Sequence, residues 1–169
     1  TRLPAMPSAI FETLSHQSFP DMQLGHDPDF KFTLARSIYK TILRYEAKAH
    51  GEKVIVSPLA PVNFFITLDK QGNAELKWLP QKDKEEPSAN ATSYNVYMAM
   101  GGFGYDNGRN IENTHYTQNL EKDLLYRFRI TAVNAGGESF PTEELCVVWH
   151  GPEAKNIMVV NGFQRLSGP

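Results

Sequence analysis

The sequence has one cysteine, no long apolar run and almost no net charge, and each of these shortages excludes a structural feature or a kind of partner. Cys146 is the only cysteine in 169 residues, so no disulfide can form within the chain. The formal net charge of −2 gives no basic field to hold a nucleic acid backbone. No stretch approaches the roughly 18 apolar residues of a membrane-spanning helix. With 41% hydrophobic and 21% charged residues, the composition is that of an ordinary globular protein.

Both ends of the sequence lead us to expect a piece of a longer protein. The first residues form a proline-punctuated run without the charged and apolar regions of a signal peptide. Near the other end, the apolar run 157–160 predicts a strand. We expect residues 152–169 to form a linker and the start of a following domain. Cys146 lies in an alternating apolar run, which predicts a buried thiol.

Residues 1–52 have the pattern of a strand, a turn and a helix. An apolar run at residues 8–11 predicts a strand that ends at Glu12. Ser18, with an acidic residue three positions later, indicates a capped helical turn. Asp27-Pro28 is typical of a helix start, because proline is favoured at the first helical position. Apolar residues then recur at helical spacing, and Gly51 should end the helix. The recurring residues are Leu34, Ala35, Ile38, Ile42 and Tyr45.

Residues 53–151 change to a period of two, with turn signals between the alternating runs. A strand is predicted at residues 65–68, and tight turns at residues 71–73 and 106–108. Alternating strands at this spacing, with no helix among them, predict a mainly β chain folded as an antiparallel sandwich. The alternating sets are Ala74, Leu76 and Trp78; Tyr94, Val96 and Met98; Tyr126, Phe128, Ile130 and Ala132; and Leu145, Val147 and Trp149.

The run LEKDLLYRFRITAVNAGGESFPTE, at residues 120–143, is similar to the F-strand region of fibronectin type III domains. Leu120 precedes Tyr126 by six positions, as in that family, and Trp78 and Tyr94 match the tryptophan and tyrosine of earlier strands. Lys122 stands where the family usually has proline. The resemblance implies that Tyr126 buries its ring and uses its hydroxyl to fix the preceding corner.

A second resemblance covers residues 6–51, MPSAIFETLSHQSFPDMQLGHDPDFKFTLARSIYKTILRYEAKAHG. The segment resembles the last strand and helix of zinc-dependent N-acetylmuramoyl-L-alanine amidases, in particular a secreted Bacteroidetes group often labelled xanthan lyase. There a fibronectin-like module follows directly, as it does here. The resemblance implies that Glu12 is the catalytic general base and that the zinc ligands lie upstream, outside this chain. From the residues alone, the favoured interpretation is that Glu12 ends a strand at the surface.

No metal ligand set is predicted within the chain. His16 follows Glu12 by four positions, which is not the spacing of a helical zinc motif. The glycine-rich stretch from Gly101 to Gly108 does not have the spacing of a phosphate loop, and it predicts a long hairpin connection. Phe103 and Tyr105 within it form a candidate binding patch, able to stack on a sugar or a neighbouring domain.

Two functions remain open at this point. The chain is either a fragment of a secreted or periplasmic cell-envelope hydrolase that acts on peptidoglycan, inactive alone, or a non-catalytic spacer or carbohydrate- or protein-binding module. In either case we expect its neighbours to be domains of the same polypeptide, with no nucleic acid partner. A polysaccharide lyase fits poorly, because the sequence shows no cluster of acid, base and arginine suited to a uronic acid.

Overall fold

A computed structural model of the chain describes residues 7–155 and 157–159. These residues divide into two units. One contains residues 7–45 and Val159, and the other contains residues 46–155 and 157–158. Within the described residues, no helix is long and apolar enough to cross a membrane.

The first unit contains helix α1, Phe19–His26, and most of helix α2, Pro28–His50. The predicted caps are confirmed. The Asp21 amide donates to Ser18 Oγ at 3.5 Å, and the Asp29 amide donates to Asp27 Oδ1 at 2.9 Å. Gly51 ends α2 with a φ of +70°, a left-handed conformation that glycine adopts without steric cost.

The strand predicted at residues 8–11 is wrong. Residues 7–15 have no regular secondary structure, and all their side chains are exposed. An isolated strand leaves its backbone amides and carbonyls without ladder partners, so an apolar run alone does not make one. Among the described residues, no strand pairs with this segment.

The second unit is an antiparallel sandwich of eight strands. One sheet has the order β1-β2-β5. The other has the order β4-β3-β6-β7, and β8 also pairs with β6. The strands are β1 Val62–Leu68, β2 Asn73–Leu79, β3 Ser93–Met100, β4 Arg109–Ile111, β5 His115–Asn119, β6 Leu125–Asn134, β7 Gly137–Glu138 and β8 Leu145–Val148. The mainly β fold predicted from the alternation is confirmed, and a 3-10 helix, Pro87–Ala89, lies in the connection between β2 and β3.

The core lies between the two sheets and is built from the predicted alternating positions. Trp78 and Tyr94 meet edge to face, with ring centroids 5.5 Å apart and an interplanar angle of 67°. Leu120 is buried in the same core. The buried core residues are Ala74, Leu76, Trp78, Tyr94, Val96, Leu120, Tyr126, Phe128, Ile130 and Ala132.

Three predictions near the end of the chain need correction. Cys146 is exposed, because it pairs with Arg127 on the outward side of the sheet. Strand β8 ends at Val148 and Trp149 makes an isolated parallel bridge with Lys122, although Trp149 still packs against the core as the alternation predicted. Residues 157–159 are exposed and form no strand, while Val160 lies outside the described residues.

Candidate functional site

Glu12 lies in the exposed segment before α1, with no regular structure around it. His16 is in the turn that follows, and that turn is closed by Asp21, whose Oδ2 accepts a 3.0 Å hydrogen bond from the Ser15 amide. In residues 7–155 and 157–159, no group of three or more His, Cys, Asp or Glu side chains could hold a metal ion. The role predicted for Glu12 therefore stays a prediction.

The outer face of the β3-β6 pair carries a ladder of tyrosine rings and arginine side chains. Register places Tyr97 opposite Arg129, and the loop between β3 and β4 lays Tyr105 over the same guanidinium. The Arg129 Cζ lies 5.2 Å from the Tyr97 ring centroid and 4.1 Å from that of Tyr105. Arg127 Cζ lies 5.7 Å from the Tyr105 centroid. Alternating rings and cations of this kind attract one another and fix the loop on the sheet.

The structure gives Phe103 and Tyr105, the predicted binding patch, different surroundings. Tyr105 is half-buried, and its hydroxyl donates to Glu144. Burial and this hydrogen bond raise the pKa of Tyr105 to about 12. Phe103 is 78% exposed, and its hydrogen bonds are made by its backbone: the carbonyl accepts from Arg127 Nη2 at 2.6 Å, and the amide donates to the Met100 carbonyl at 3.1 Å. Within the loop, Phe103 is therefore the ring that remains open to a partner.

Asp106 anchors the base of the same loop. Its Oδ1 accepts hydrogen bonds from the Met98 and Gly108 amides, both at 3.0 Å, and its own amide donates to the Met98 carbonyl at 2.9 Å. Gly108 has a φ of +76°, and a Cβ there would lie 2.7 Å from the Tyr97 ring. The predicted tight turn thus requires glycine for both its backbone conformation and its space.

Glu138 joins three strands on this face. Its Oε1 accepts from Asn95 Nδ2 at 3.1 Å, from the Tyr97 hydroxyl at 2.6 Å and from the Thr131 hydroxyl. Burial opposes ionisation of this carboxyl, but the three hydrogen bonds and nearby Arg129 outweigh it and lower the pKa of Glu138. The Glu138 carboxylate therefore holds the short strand β7 to β3 and β6.

A shallow cleft lies on the outer face of the three-stranded sheet, and it was not predicted from the sequence. The cleft has a volume of about 540 Å³, with Asn63 and Phe65 from β1, Glu75, Lys77 and Leu79 from β2, and His115 from β5 among its lining. A signal was present in the run Val-Asn-Phe-Phe-Ile, where the period of two breaks and so indicates a bulge.

Solved structures supply the comparison. The twitchin kinase region from C. elegans is similar at 25% identity with a TM-score of 0.51, over 59% of this chain and 18% of that one. The fourth FNIII domain of a human protein is similar at 22% identity with a TM-score of 0.51, over 62% of this chain and 88% of that one. This sandwich has the fibronectin type III fold. No protein-family model and no curated protein matches the chain.

The fibronectin type III fold accounts for the corner that precedes β6. Tyr126 is buried, and its hydroxyl accepts a 3.1 Å hydrogen bond from the Glu121 amide, as the resemblance implied. A fold of this kind hosts many functions and so does not itself specify one. None of the matches supports the amidase resemblance of residues 6–51 or a Bacteroidetes origin.

Proposed function

We propose that the sandwich of this chain is a non-catalytic accessory module that positions neighbouring domains of a longer polypeptide. The supporting observation is that the polar side chains most deeply placed in the sandwich hold strands and loops together. Asn134 Nδ2 donates to the carbonyls of Val56 at 2.9 Å and Ser88 at 3.0 Å, and its Oδ1 accepts from the Gly136 amide at 2.8 Å. Groups used in this way stabilise the module and leave its outer surfaces for contacts with partners.

The finer proposal concerns the longer protein. We propose that it is a secreted or periplasmic zinc-dependent amidase that cleaves peptidoglycan, with zinc held by residues outside this chain and Glu12 as the general base. The support is the resemblance of residues 6–51, together with the order of the segments, in which the fibronectin-like module follows at once. The exposed position of Glu12 leaves its carboxylate accessible to a domain that would complete the site.

One experiment tests the accessory role. The 169-residue chain is incubated with peptidoglycan sacculi and excess Zn²⁺, and released peptide amino groups are measured with an amine-reactive dye. We expect no release above the protein-free control. Glu52→Gln, at another exposed glutamate, is the matched control. If the chain releases peptide, and if Glu12→Gln abolishes that release while Glu52→Gln does not, the chain is itself a hydrolase.

A second experiment tests the amidase proposal. In a chain extended upstream by the preceding domain, we expect zinc-dependent release that Glu12→Gln reduces by about 10²- to 10⁴-fold, the usual contribution of a general base. Glu52→Gln should leave the release unchanged. If the extended chain releases nothing, or if Glu12→Gln is as active as the parent, the amidase proposal fails and the accessory role still stands.

A further inference from the structure

A β-bulge in β1 changes which side chains reach the outer face of the three-stranded sheet. Val62 lies opposite Leu79 and Phe65 lies opposite Lys77, so three steps on β1 match two steps on β2. Side chains alternate between faces along a strand, and one extra residue therefore puts Val62 and Phe65 on the same side. Without the bulge, Val62 would share the inward face with Ile66 and Leu68.

The bulge places Asn63 in an unusual backbone conformation and brings three exposed apolar side chains together. Asn63 has a φ of +52°, a left-handed conformation that most residues with a Cβ avoid and that asparagine tolerates better than most. The outcome is a cluster on the outer face in which Val62 is 37%, Phe65 48% and Leu79 53% exposed. A bulge that turns apolar side chains toward water stabilises nothing locally, and bulges are frequent beside functional sites.

Polar groups of balanced charge surround this cluster. Lys77 Nζ lies 2.8 Å from Glu75 Oε2, so the two charges neutralise each other within the lining. Among the described residues, the side chains of Asn63 and His115 make no hydrogen bond, and both line the cleft. The volume of about 540 Å³ is in the range of small-ligand sites.

We propose that this cleft binds a neutral saccharide. The exposed phenyl ring of Phe65 offers an apolar surface for the C–H groups of a pyranose, and the amide of Asn63 and the imidazole of His115 offer hydrogen bonds to its hydroxyls. A charged ligand would lose hydration against a lining of zero net charge without gaining an ion pair. The proposal goes beyond the accessory role and is independent of it, because a module without this site could still position its neighbours.

The test uses the ¹⁵N-labelled 169-residue chain, titrated in NMR spectra with neutral cello-, xylo-, malto- and N-acetylchito-oligosaccharides and with acidic oligogalacturonate, each to about 10 mM. At least one neutral oligosaccharide should shift the amides of β1, β2 and β5 around the cleft, and oligogalacturonate should not. Phe65→Ala should weaken that binding at least about tenfold. Phe65→Trp, which keeps an aromatic surface, should retain it.

Phe140→Ala is the matched control, because Phe140 is also an exposed phenylalanine, at 76%, and lies outside the cleft. Thermal unfolding of both alanine variants shows whether the fold is intact. The proposal is overturned if no neutral oligosaccharide binds, if Phe65→Ala binds as well as the parent, or if the shifts gather around Phe103. It is also overturned if sedimentation shows that the chain dimerises through this face and Phe65→Ala makes it monomeric.

Discussion

At the scale of single residues, a glycine and an asparagine fasten the segment before β1 to the end of β6. Asn134 is 9% exposed, and its amide donates to the Val56 carbonyl. Two residues later, Gly136 lies so close to this segment that a Cβ would be 2.3 Å from the Ile55 carbonyl oxygen. Real Cβ atoms do not approach a backbone oxygen so closely. The two segments can therefore meet only because position 136 has no side chain.

Gly136→Ala should therefore destabilise the sandwich. The added methyl group must push the Ile55 backbone aside and weaken the Asn134 hydrogen bond, at a cost of about 2 kcal/mol in the free energy of unfolding. Urea denaturation followed by tryptophan fluorescence measures the loss. Gly102→Ala is the control, because a Cβ there meets nothing within 4 Å, and it should change stability by less than about 0.5 kcal/mol. Equal stability of the two variants would contradict this account of Gly136.

At the scale of elements, the sequence predicts those strands that bury one apolar face. The alternation in β2, β3 and β6 is regular because each lies against the core, and the caps of α1 and α2 follow from local chemistry. Strand β5 is missed because its sequence, HYTQN, is mostly polar and has no apolar alternation to recognise. The bonds of Glu138 depend on pairing between strands that are distant in sequence, which no local pattern contains.

Glu138 makes the attachment of β7 sensitive to acid. Its pKa in the folded state is lowered below the ordinary value of 4.5, so the folded protein binds the proton less readily than the unfolded chain. The stabilisation is complete above the ordinary pKa and is lost as the pH falls through the lowered one. Glu138→Gln should be less stable than the parent at pH 7, and the difference should shrink below pH 4.5.

Urea denaturation at a series of pH values measures this difference. Glu143→Gln provides the matched control, since Glu143 is exposed in the same connection between β7 and β8 and should leave a curve parallel to that of the parent. A gap between Glu138→Gln and the parent that stays constant from pH 7 to pH 3 would mean that the carboxylate's charge contributes nothing to stability.

At the scale of the whole molecule, the two units differ in how much they bury. Among residues 7–45 no side chain is buried, and apolar groups such as Phe19, Ile42 and Tyr45 are more than half exposed. The sandwich unit contains every buried core residue from Ala47 onward. Because burial of apolar surface is the main source of stability, the helical unit should contribute little to the unfolding of the sandwich.

A chain that begins at residue 46 should therefore unfold at the same urea concentration as the 169-residue chain, within about 0.5 kcal/mol. Both tryptophans, Trp78 and Trp149, lie in the sandwich unit, so fluorescence reports that unit alone, while circular dichroism at 222 nm also reports the helices. In the 169-residue chain the helical signal should disappear before the fluorescence changes.

A deeper truncation that begins at residue 58 provides the contrast. It removes Val56, which is fully buried and whose carbonyl accepts the hydrogen bond from Asn134, and it should cost about 2 kcal/mol or more. If the chain from residue 46 lost as much stability as the chain from residue 58, residues before 46 would have to support the sandwich directly. If neither lost any, the segment fastened by Asn134 and Gly136 would carry no stability, and the residue-scale argument would fail with it.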